Sequence, residues 1–539
     1  MITGAQIMVK CLEQEGVSVV FGYPGAAICP FYDALYASSL RHILVREEQN
    51  AGHAASGYAR ASGRVGVCVA TSGPGATNLI TGLATAYMDS IPLVAVTGQV
   101  RSDLLGRDVF QEADITGACE PFTKCSYLVK DARDLARVFK EAFHIASTGR
   151  PGPVLIDIPV DVQLASVQEF AYPEKADIIG YKPRTQGHAL QIKRAVEAVS
   201  ESSRPVICAG GGILSAGAKK ELCAFAEKTG IPVVSTMMGI GALSPDHPLY
   251  LGMLGTYGVR PANRAIHDAD LLILCGARVG DRAVAEPGQI AEKARVIHID
   301  VDPAEIGKNM KAHIPIVGDV RLVLGQLAEK TGYHIPAPWE EQIAEWRNEP
   351  RRTPVSFEGF VEPRSFMRSF SAMLPSKSIL VADVGQNQIW SANNFKTKNG
   401  VFLTSGGLGT MGYSIPAALG AKLAKPGRTV VAVCGDGSFQ MSMCELGTIA
   451  QNQIDVKLIV MRNTRLGMVR ELQDKLYGGR YAATLLDVNF DLLKIAEAYG
   501  IPAKMVHSNE EAQAEARRLL DRPGPALLLC DVSPLNPSI

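Results

Sequence analysis

The chain has 539 residues, 47% of them hydrophobic, and 54 basic side chains balance 54 acidic ones. This length predicts three or four domains, and the charge balance leaves no electrostatic footprint for nucleic acid or an acidic membrane surface. No apolar run approaches the roughly 18 residues that span a membrane. Eleven scattered cysteines without a C-x-x-C pair, and an N-terminus without a basic and apolar leader, predict a cytoplasmic protein with reduced thiols.

Short apolar strands alternate with helical stretches through the first part of the chain, which predicts a parallel sheet. The predicted strands are 17–21, 43–45, 65–71, 93–97 and 154–158. A polar, irregular stretch at 164–187 is interpreted as a linker.

Two further series of the same kind follow. The second has predicted strands at 205–209, 232–235, 271–275 and 296–300, and a second linker rich in proline and charge is expected at 334–354. The third begins with a helix near Arg364 and has predicted strands at 379–382, 429–433, 457–461 and 526–530. The sequence thus predicts three parallel-sheet α/β domains, at 1–165, 188–330 and 364–539.

The motif Gly435-Asp436-Gly437 follows one apolar run, and Asn463 follows the next. Both strand ends fall on the same edge of a parallel sheet, where such sheets bind ligands. A carboxylate and an amide carbonyl are hard oxygen ligands for Mg²⁺, which commonly bridges protein to phosphate. The alternative is an ordinary turn with an unrelated asparagine, and this motif alone does not separate the two interpretations.

A second motif, at residues 46–51, follows a short apolar strand and precedes a small-residue helix predicted to begin near Ala51. Its Glu47 and Glu48 could simply complement a helix dipole. Together with the first motif, however, they resemble the signature of thiamine diphosphate enzymes. That chemistry needs a carboxylate against the aminopyrimidine ring, in an apolar site where the contact is strengthened.

The whole chain resembles the family of acetolactate synthase large, catalytic subunits. The strings that carry the resemblance are 21–25, 71–78, 110–114, 149–154, 276–278, 405–412 and 477–481. The resemblance implies a pyrimidine-binding domain, a central FAD-binding domain and a diphosphate-binding domain. It also implies active sites shared between the first domain of one chain and the third of another, hence a homodimer or tetramer, with a small regulatory subunit as a further partner.

The resemblance implies the cofactor-binding residues of the outer domains. Glu48 would activate thiamine diphosphate, and Mg²⁺ would be bound by the side chains of Asp436 and Asn463 and the carbonyl of Arg465. Met411 would wedge between the cofactor rings beside Gly409. The remaining implied contacts of this cofactor are Val384, Gly385, Gln386, Asn387, Gly437, Ser438 and Met468. The chain departs from the family at Glu47 and Asn387, where histidine is usual, at Asn50, where glycine is usual, and at Arg462, where asparagine is usual.

The implied substrate and flavin contacts are fewer. Phe110 and Gln111 would lie near the reacting carbon, and Arg282 would bind the carboxylate of the second 2-ketoacid, a role that suits a bidentate guanidinium. FAD, which would not be reduced during turnover, would be contacted by Arg150, Gly210, Gly211, Gly276, Arg278, Asp300 and Asp319. Alternatively, the central domain binds ADP, coenzyme A or nothing.

The expected reaction is the decarboxylating condensation of two pyruvates to 2-acetolactate, or of pyruvate and 2-ketobutyrate to 2-aceto-2-hydroxybutyrate, in branched-chain amino-acid biosynthesis. The first domain lacks the adjacent His-His pair of aldehyde-releasing relatives, which favours carboligation. Leu472 stands where many family members carry tryptophan and leaves the acceptor open, and the chain lacks the family's usual C-terminal tail. The alternatives are another carboligase or decarboxylase, a pyruvate oxidase, or a non-catalytic relative.

Overall fold

A computed structural model describes residues 1–350, 353–486 and 490–539. It contains three six-stranded sheets, each wholly parallel and each in a separate part of the chain, as predicted. Within the described ranges, no helix has both the length and the apolarity needed to cross a membrane.

The first sheet has the strand order β3-β2-β4-β5-β7-β6, and a short antiparallel pair, β1 with β8, joins the start of the chain to the end of this domain. The strands are β1 Ile2–Thr3, β2 Val19–Gly22, β3 Arg41–Leu44, β4 Gly66–Ala70, β5 Leu93–Gln99, β6 Cys125–Leu128, β7 Pro153–Pro159 and β8 Ser166–Val167. The helices are α1 Gly4–Gln14, α2 Cys29–Tyr36, α3 Glu48–Ser62, α4 Pro74–Met88, α5 Ile115–Cys119, α6 Leu135–Ser147 and α7 Val160–Leu164, with 3₁₀ turns at Ala26–Ile28, Ser102–Leu104, Glu120–Phe122 and Ala132–Asp134.

The central sheet has the order β11-β10-β9-β12-β13-β14. Its strands are β9 Pro205–Ala209, β10 Val233–Ser235, β11 Tyr250–Met253, β12 Leu271–Cys275, β13 Arg295–Asp300 and β14 Ile314–Val317. Its helices are α8 Ala189–Glu201, α9 Gly211–Ser215, α10 Lys219–Thr229, α11 Arg260–Asp268, α12 Pro287–Lys293, α13 Val320–Lys330 and α14 Ala337–Asn348, with a 3₁₀ turn at Met237–Gly239.

The third sheet, β16-β15-β17-β18-β20-β19, repeats the strand order of the first. Its strands are β15 Ile379–Ala382, β16 Val401–Leu403, β17 Val430–Gly435, β18 Lys457–Arg462, β19 Ala503–Val506 and β20 Ala526–Asp531. Its helices are α15 Pro363–Met373, α16 Gln386–Asn394, α17 Ser414–Ala424, α18 Asp436–Ser442, α19 Glu445–Gln451, α20 Gly467–Tyr477, α21 Leu492–Ala498 and α22 Asn509–Asp521.

Three local expectations were wrong. Seven strands were not predicted: β6, β11, β14, β16 and β19, which lie at the edges of the three large sheets, and β1 and β8, which form the short antiparallel pair. The expected linker at 334–354 contains α14, whose Trp339 and Trp346 are buried in the central core. Pro336 and Pro338 lie at the start of this helix, where the N–H that proline lacks would have no partner within the helix. Helix α3 begins at Glu48 rather than near Ala51, because the Glu47 carboxylate accepts the main-chain N–H groups of Gln49 and Asn50.

Each sheet has one point at which the winding of the chain reverses between two neighbouring strands. These pairs are β2 and β4, β9 and β12, and β15 and β17. Ligands of open parallel sheets bind in the crevice that forms beyond the carboxyl ends of such pairs. The loops at the three crevices contain residues 23–25 and 71–75, 210–212 and 276–278, and 383–387 and 435–438, which include much of the predicted site.

Helices α3 and α17 join the first domain to the third. A Cβ atom on Gly57 would lie 1.9 Å from the carbonyl oxygen of Ala417, and one on Gly420 would lie 1.8 Å from that of Ala54. Each helix thus presents one glycine to a carbonyl of the other, so the two backbones touch in a nearly two-fold arrangement. The crossing lies inside one continuous apolar core that contains residues of both domains.

We predict that Gly420→Ala lowers the free energy of unfolding by about 3 kcal/mol, because the new methyl group must push two helix backbones apart. Gly325→Ala is the matched control: it is also helical, but its Cβ would meet nothing within 4 Å. The control should gain roughly 0.5–1 kcal/mol from helix propensity. Denaturant unfolding of both variants checks the prediction, and equal stabilities would contradict the close crossing.

Candidate functional site

Asp436 and Asn463 come together at the edge of the third sheet, as predicted. Strands β17 and β18 pair in register up to Gly435 and Met461, so the next residues of each strand are neighbours. The Asp436 carboxylate accepts the main-chain N–H of Thr464 at 2.7 Å and that of Gly437 at 3.1 Å. The Asn463 amide oxygen accepts the N–H of Arg465 at 3.0 Å. The segment that follows β18 therefore folds back over Asp436.

The chemistry of this donor set fits a hard divalent cation. A carboxylate, an amide oxygen and the Arg465 carbonyl are oxygen ligands of the kind that Mg²⁺ binds. Burial raises the pKa of Asp436 to about 6, and the N–H donors of Thr464 and Gly437 offset this only in part. A cation against the carboxylate would supply the missing compensation and keep it ionised.

Met411 lies over the Gly435–Ser438 turn. A Cβ on Gly437 would lie 3.6 Å from the Met411 methyl carbon and 3.0 Å from a methyl carbon of Leu466. The Ser438 hydroxyl bonds back to the main chain of Gly435. The glycine thus keeps a narrow space open beneath Met411 that any side chain would fill.

Asp383 fixes the loop that carries Met411, and the sequence analysis missed it. Its fully buried carboxylate accepts the main-chain N–H groups of Val384, Gly412 and Ser414 at 2.8 to 2.9 Å. Burial raises its pKa to about 6. The signal available in the sequence was an acid at the end of an apolar strand, directly before the predicted contact segment 384–387.

Two of the predicted diphosphate contacts are engaged within the protein. The Asn387 amide nitrogen donates to the carbonyls of Asp383, at 2.8 Å, and Val433, at 3.3 Å. The Gln386 amide donates to Glu471 and to the Asn536 carbonyl, while its oxygen accepts from Asn463. The side-chain amide of Asn387 therefore braces the two strand ends, and a contact with a diphosphate would have to come from its main chain or require the side chain to turn.

Glu48 lies in the first domain, at the start of α3. Its carboxylate accepts the Asn78 amide at 3.0 Å, and a Cβ on Gly75 would lie 3.2 Å from its second oxygen. The carboxylate therefore covers the first turn of α4. Because this turn exposes unpaired N–H groups and the positive end of the helix dipole, the position favours a negative charge.

Gln111 joins Glu48 at this end of α4. It adopts φ +59°, a conformation uncommon for a non-glycine residue, and packs against Gly73, whose Cβ would lie 2.9 Å from the Gln111 Cα. Phe110 beside it is 86% exposed. The structure thus brings Glu48 and Gln111 together and leaves a large aromatic side chain uncovered on this face of the chain.

Glu48 and the Met411 loop contact opposite ends of α4 in the same chain. Glu48 contacts Gly75 and Asn78, whereas Thr410 bonds to Thr85 at 2.8 Å and the preceding glycines bond to Asp89. At about 1.5 Å per residue, these contacts are centred roughly 15 Å apart along the helix. Two groups that bond to one six-membered ring lie within about 8 Å of each other. Contacts spaced this far along α4 indicate that Glu48 and Gly409 of one chain do not bond to the same ring.

One cavity of about 1450 Å³ is lined by residues of all three domains. It is larger than the several hundred cubic ångströms of a typical small-ligand site. The predicted residues that line it are Arg150, Gly211, Gly276, Arg278, Arg282, Asp300, Asp319, Val384, Gly409, Met468 and Leu472. The predicted flavin contacts and part of the predicted thiamine site therefore open into one space.

Three glycines of the central domain, Gly210, Gly212 and Gly276, have a structural role at the ends of two strands. A Cβ on Gly210 would lie 2.0 Å from the Gly276 carbonyl oxygen, and Gly212 packs equally closely on Gly276. These residues let the ends of β9 and β12 touch. Gly210 is not among the residues that line the cavity, so close backbone packing accounts for it without a ligand.

Two guanidinium groups face the cavity, that of Arg150 from the first domain and that of Arg278 from the central domain. Arg150 pairs with Glu305 at 2.7 Å and with Asp302 at 3.4 Å. Burial and the neighbouring Arg150 lower the pKa of Arg278. Arg150 and Arg278 are half-buried cations beside each other, a pairing that favours an anionic ligand in addition to the carboxylates that Arg150 already contacts. Arg282, by contrast, is 73% exposed at the cavity and is only 3.7 Å from the equally exposed Asp281, a pair that contributes little stability.

A cluster of metal-ligating residue types, Cys223, Glu227 and His247, lies elsewhere in the central domain. The His247 Nδ1 accepts the main-chain N–H of Leu249 at 3.2 Å, which places the ring proton on Nε2. Nε2 faces Glu227 and the Cys223 sulfur. Burial and Glu227 raise the pKa of that thiol. The three side chains form a hydrogen-bonded cluster, and a metal bound there would have to displace the protons of the thiol and of Nε2.

Comparisons with known proteins agree with the three-domain fold. Three family models match: "Thiamine pyrophosphate enzyme, N-terminal TPP binding domain" over residues 2–118, the central domain of the same enzymes over 192–327, and their C-terminal TPP binding domain over 383–530. Together they cover most of the strands of all three sheets.

Individual relatives align along almost the full length. A probable acetolactate synthase large subunit of Methanocaldococcus jannaschii is 47% identical over 98% of this chain and 92% of its own. An acetolactate synthase of Arthrospira platensis is 45% identical over 98% and 93%. An acetolactate synthase large subunit of Corynebacterium glutamicum is 46% identical over 97% and 86%.

We predict that Asp383→Asn weakens thiamine diphosphate binding by about 10- to 100-fold, because an amide cannot accept all three N–H groups and the Met411 loop loses an anchor. Titration of the cofactor against protein fluorescence, in the presence of Mg²⁺, measures the dissociation constant. Asp521→Asn, at an exposed helix end, is the matched control and should leave it unchanged. Equal affinities for both variants would contradict the assigned role of Asp383.

Proposed function

This chain belongs to the acetolactate synthase large-subunit family of thiamine diphosphate enzymes, and from that premise we propose that it condenses pyruvate with a second 2-ketoacid. With two pyruvates the product is 2-acetolactate, and with 2-ketobutyrate as acceptor it is 2-aceto-2-hydroxybutyrate. The first belongs to the synthesis of valine and leucine, and the second to that of isoleucine.

The observation that carries the proposal is the separation of two complementary half-sites on one chain. One half has Glu48 and Gln111 at the start of α4, and the other has Asp436, Asn463 and Met411 at the edge of the third sheet. Neither half can complete the other within a chain. A second copy, oriented so that its first domain faces this third domain, would join them and cover the exposed Phe110.

Each residue then has a task. Asp436, Asn463 and the Arg465 carbonyl would hold Mg²⁺ against the diphosphate. Bound thiamine diphosphate supplies the carbon that adds to a ketone and takes up the charge left when CO₂ departs.

Glu48, fixed by Asn78, would keep a hydrogen bond to the pyrimidine of a cofactor bound to the partner chain. Met411 would hold the shape of that cofactor. Arg282, exposed at the cavity, has a guanidinium free to bind the acceptor carboxylate.

FAD is the ligand that we propose for the central part of the cavity. Arg150 and Arg278 would face its diphosphate, and Asp300 and Asp319 are carboxylates of the kind that bind ribose hydroxyls. Burial raises the pKa of Asp300 to about 6, which a hydroxyl donor would counteract. ADP and coenzyme A carry the same diphosphate, and the visible absorbance of purified protein distinguishes the flavin from both.

Further partners belong to the same proposal. Relatives are named large subunits, so a small regulatory subunit is expected beside the homodimer or tetramer. The eleven cysteines are all free, in keeping with the reducing cytoplasm that the sequence predicts. Leu472, which lines the cavity, is expected to influence which acceptor is preferred.

We predict that the purified protein, given thiamine diphosphate, Mg²⁺ and pyruvate, forms acetolactate, detected as acetoin after acid treatment. Glu48→Gln should lower this rate about 100-fold or more, because an amide cannot replace the carboxylate. Glu329→Gln, an exposed glutamate of the central domain, is the control and should keep the rate.

Three outcomes would contradict the proposal. Peroxide as the product would make the protein a pyruvate oxidase, and free acetaldehyde would make it a decarboxylase. An unchanged rate in Glu48→Gln would remove the assigned role of this residue. Competition between pyruvate and 2-ketobutyrate then gives the acceptor preference.

A further inference from the structure

Helix α19 of the third domain lies against the segment that presents Glu48 in the same chain. Three of its residues, spaced three apart on one face, make the contacts. Glu445 and Thr448 are buried there, and Gln451 is exposed. The segment that they contact runs from the end of β3 into the first turn of α3, so a helix of the third domain supports a turn of the first.

Glu445 makes the central contacts. It is 0% exposed, and one carboxylate oxygen accepts the main-chain N–H of Arg46 at 2.8 Å and the Asn50 amide at 3.0 Å. The other oxygen accepts the Thr448 hydroxyl at 2.6 Å, and that hydroxyl also lies 3.2 Å from the Leu44 carbonyl. A glutamine, which is uncharged and has the same shape, could still bond to each of these partners.

These bonds fix the turn on both sides of Glu48. Arg46 precedes it by two residues, Asn50 follows it by two, and both bond to the same oxygen of Glu445. Glu47 completes the turn by capping α3. The Glu48 carboxylate itself faces away, toward Asn78. The backbone of Glu48 is therefore held from one side and its carboxylate is presented on the other.

Two of the residues that depart from the family pattern, Glu47 and Asn50, lie at this contact. Asn50 stands where glycine is usual, and its side chain supplies one of the two bonds to Glu445. Burial raises the pKa of Glu445, and the Thr448 hydroxyl, the Asn50 amide and the main chain and charge of Arg46 offset this only in part. Burial also raises the pKa of Glu47, and the nearby Glu445 adds to that rise. The asparagine amide therefore supplies a donor to a buried carboxylate that needs one.

We propose that Glu445 is a positioning residue for Glu48, which it places by holding the main chain of Arg46 and the side chain of Asn50. The inference rests on the proposed function, because it assigns Glu48 a task that depends on its position. Glu445 is fully buried and has no surface open to a ligand, so its effect on the reaction would pass through the turn at 46–50.

Glu445→Ala and Glu445→Gln test the proposal together. Glutamine can still accept from Arg46 and Asn50 with its oxygen and can donate to Thr448 with its nitrogen, whereas alanine loses every contact. Gln451→Ala is the control on the same helix, since Gln451 reaches only the side chain of Arg46, at 2.6 Å. Where Glu445→Ala fails to fold, Asn50→Ala removes one of the two bonds and takes its place.

The first readout is amide hydrogen exchange of the cofactor-free protein. Glu445→Ala should lose protection across residues 44–50, while Glu445→Gln and Gln451→Ala retain it. The second readout is the rate at which the reactive ring proton of bound thiamine diphosphate exchanges with D₂O. It should fall about tenfold or more in Glu445→Ala and by less than about threefold in Glu445→Gln.

The proposal is overturned if Glu445→Ala lowers the melting temperature but keeps the ring-proton exchange rate of the native protein, which is the result of a purely structural role. It is also overturned if Glu445→Gln is as slow as the alanine variant, since the effect would then come from charge. Failure of the proposed function would give a different result, because the Glu48→Gln variant itself would then keep the ring-proton exchange rate of the native protein.

Discussion

The close crossing of α3 and α17 is the contact on which the rest of the structure depends. Gly57 and Gly420 remove the side chains that would separate the two helices, and each backbone rests on a carbonyl of the other. Helices α3 and α17 occupy equivalent places beside two sheets that have the same strand order. The first and third domains are therefore related by an approximate two-fold axis. One core then serves both domains, and their relative position is fixed without a ligand.

That fixed position decides what a single chain can do. It places Glu48 at the start of α4 and the Met411 loop at its far end, and it sets α19 against the turn that carries Glu48. In each sheet a crevice forms where the winding of the chain reverses. The predicted site residues therefore lie where the parallel strands end and leave main-chain groups unpaired. A rigid junction between two half-sites that face outward is a geometry suited to a pair of chains rather than to one.

The sequence predicted the parts of the fold that burial makes distinctive. Strands such as β12 and β17 are apolar because helices cover both faces, whereas the edge strands β6 and β19 are half exposed and carry no such run. Asp436 and Asn463 were predictable as neighbours because parallel strands end together. The partnership of Glu445 with Arg46 was not, since no local pattern links residues so far apart in the chain.

The central claim, that Glu48 and Asp436 act together only across two chains, is tested most directly by mixing two inactive variants. Glu48→Gln and Asp436→Ala homodimers are combined, dissociated and allowed to reassociate, and acetolactate formation is measured. Each hybrid dimer would carry one site with both defects and one intact site, so random exchange should restore about a quarter of the native activity. If the two residues served one site within a chain, every site would stay defective, and a mixture without activity, despite demonstrated hybrid formation, would contradict the account.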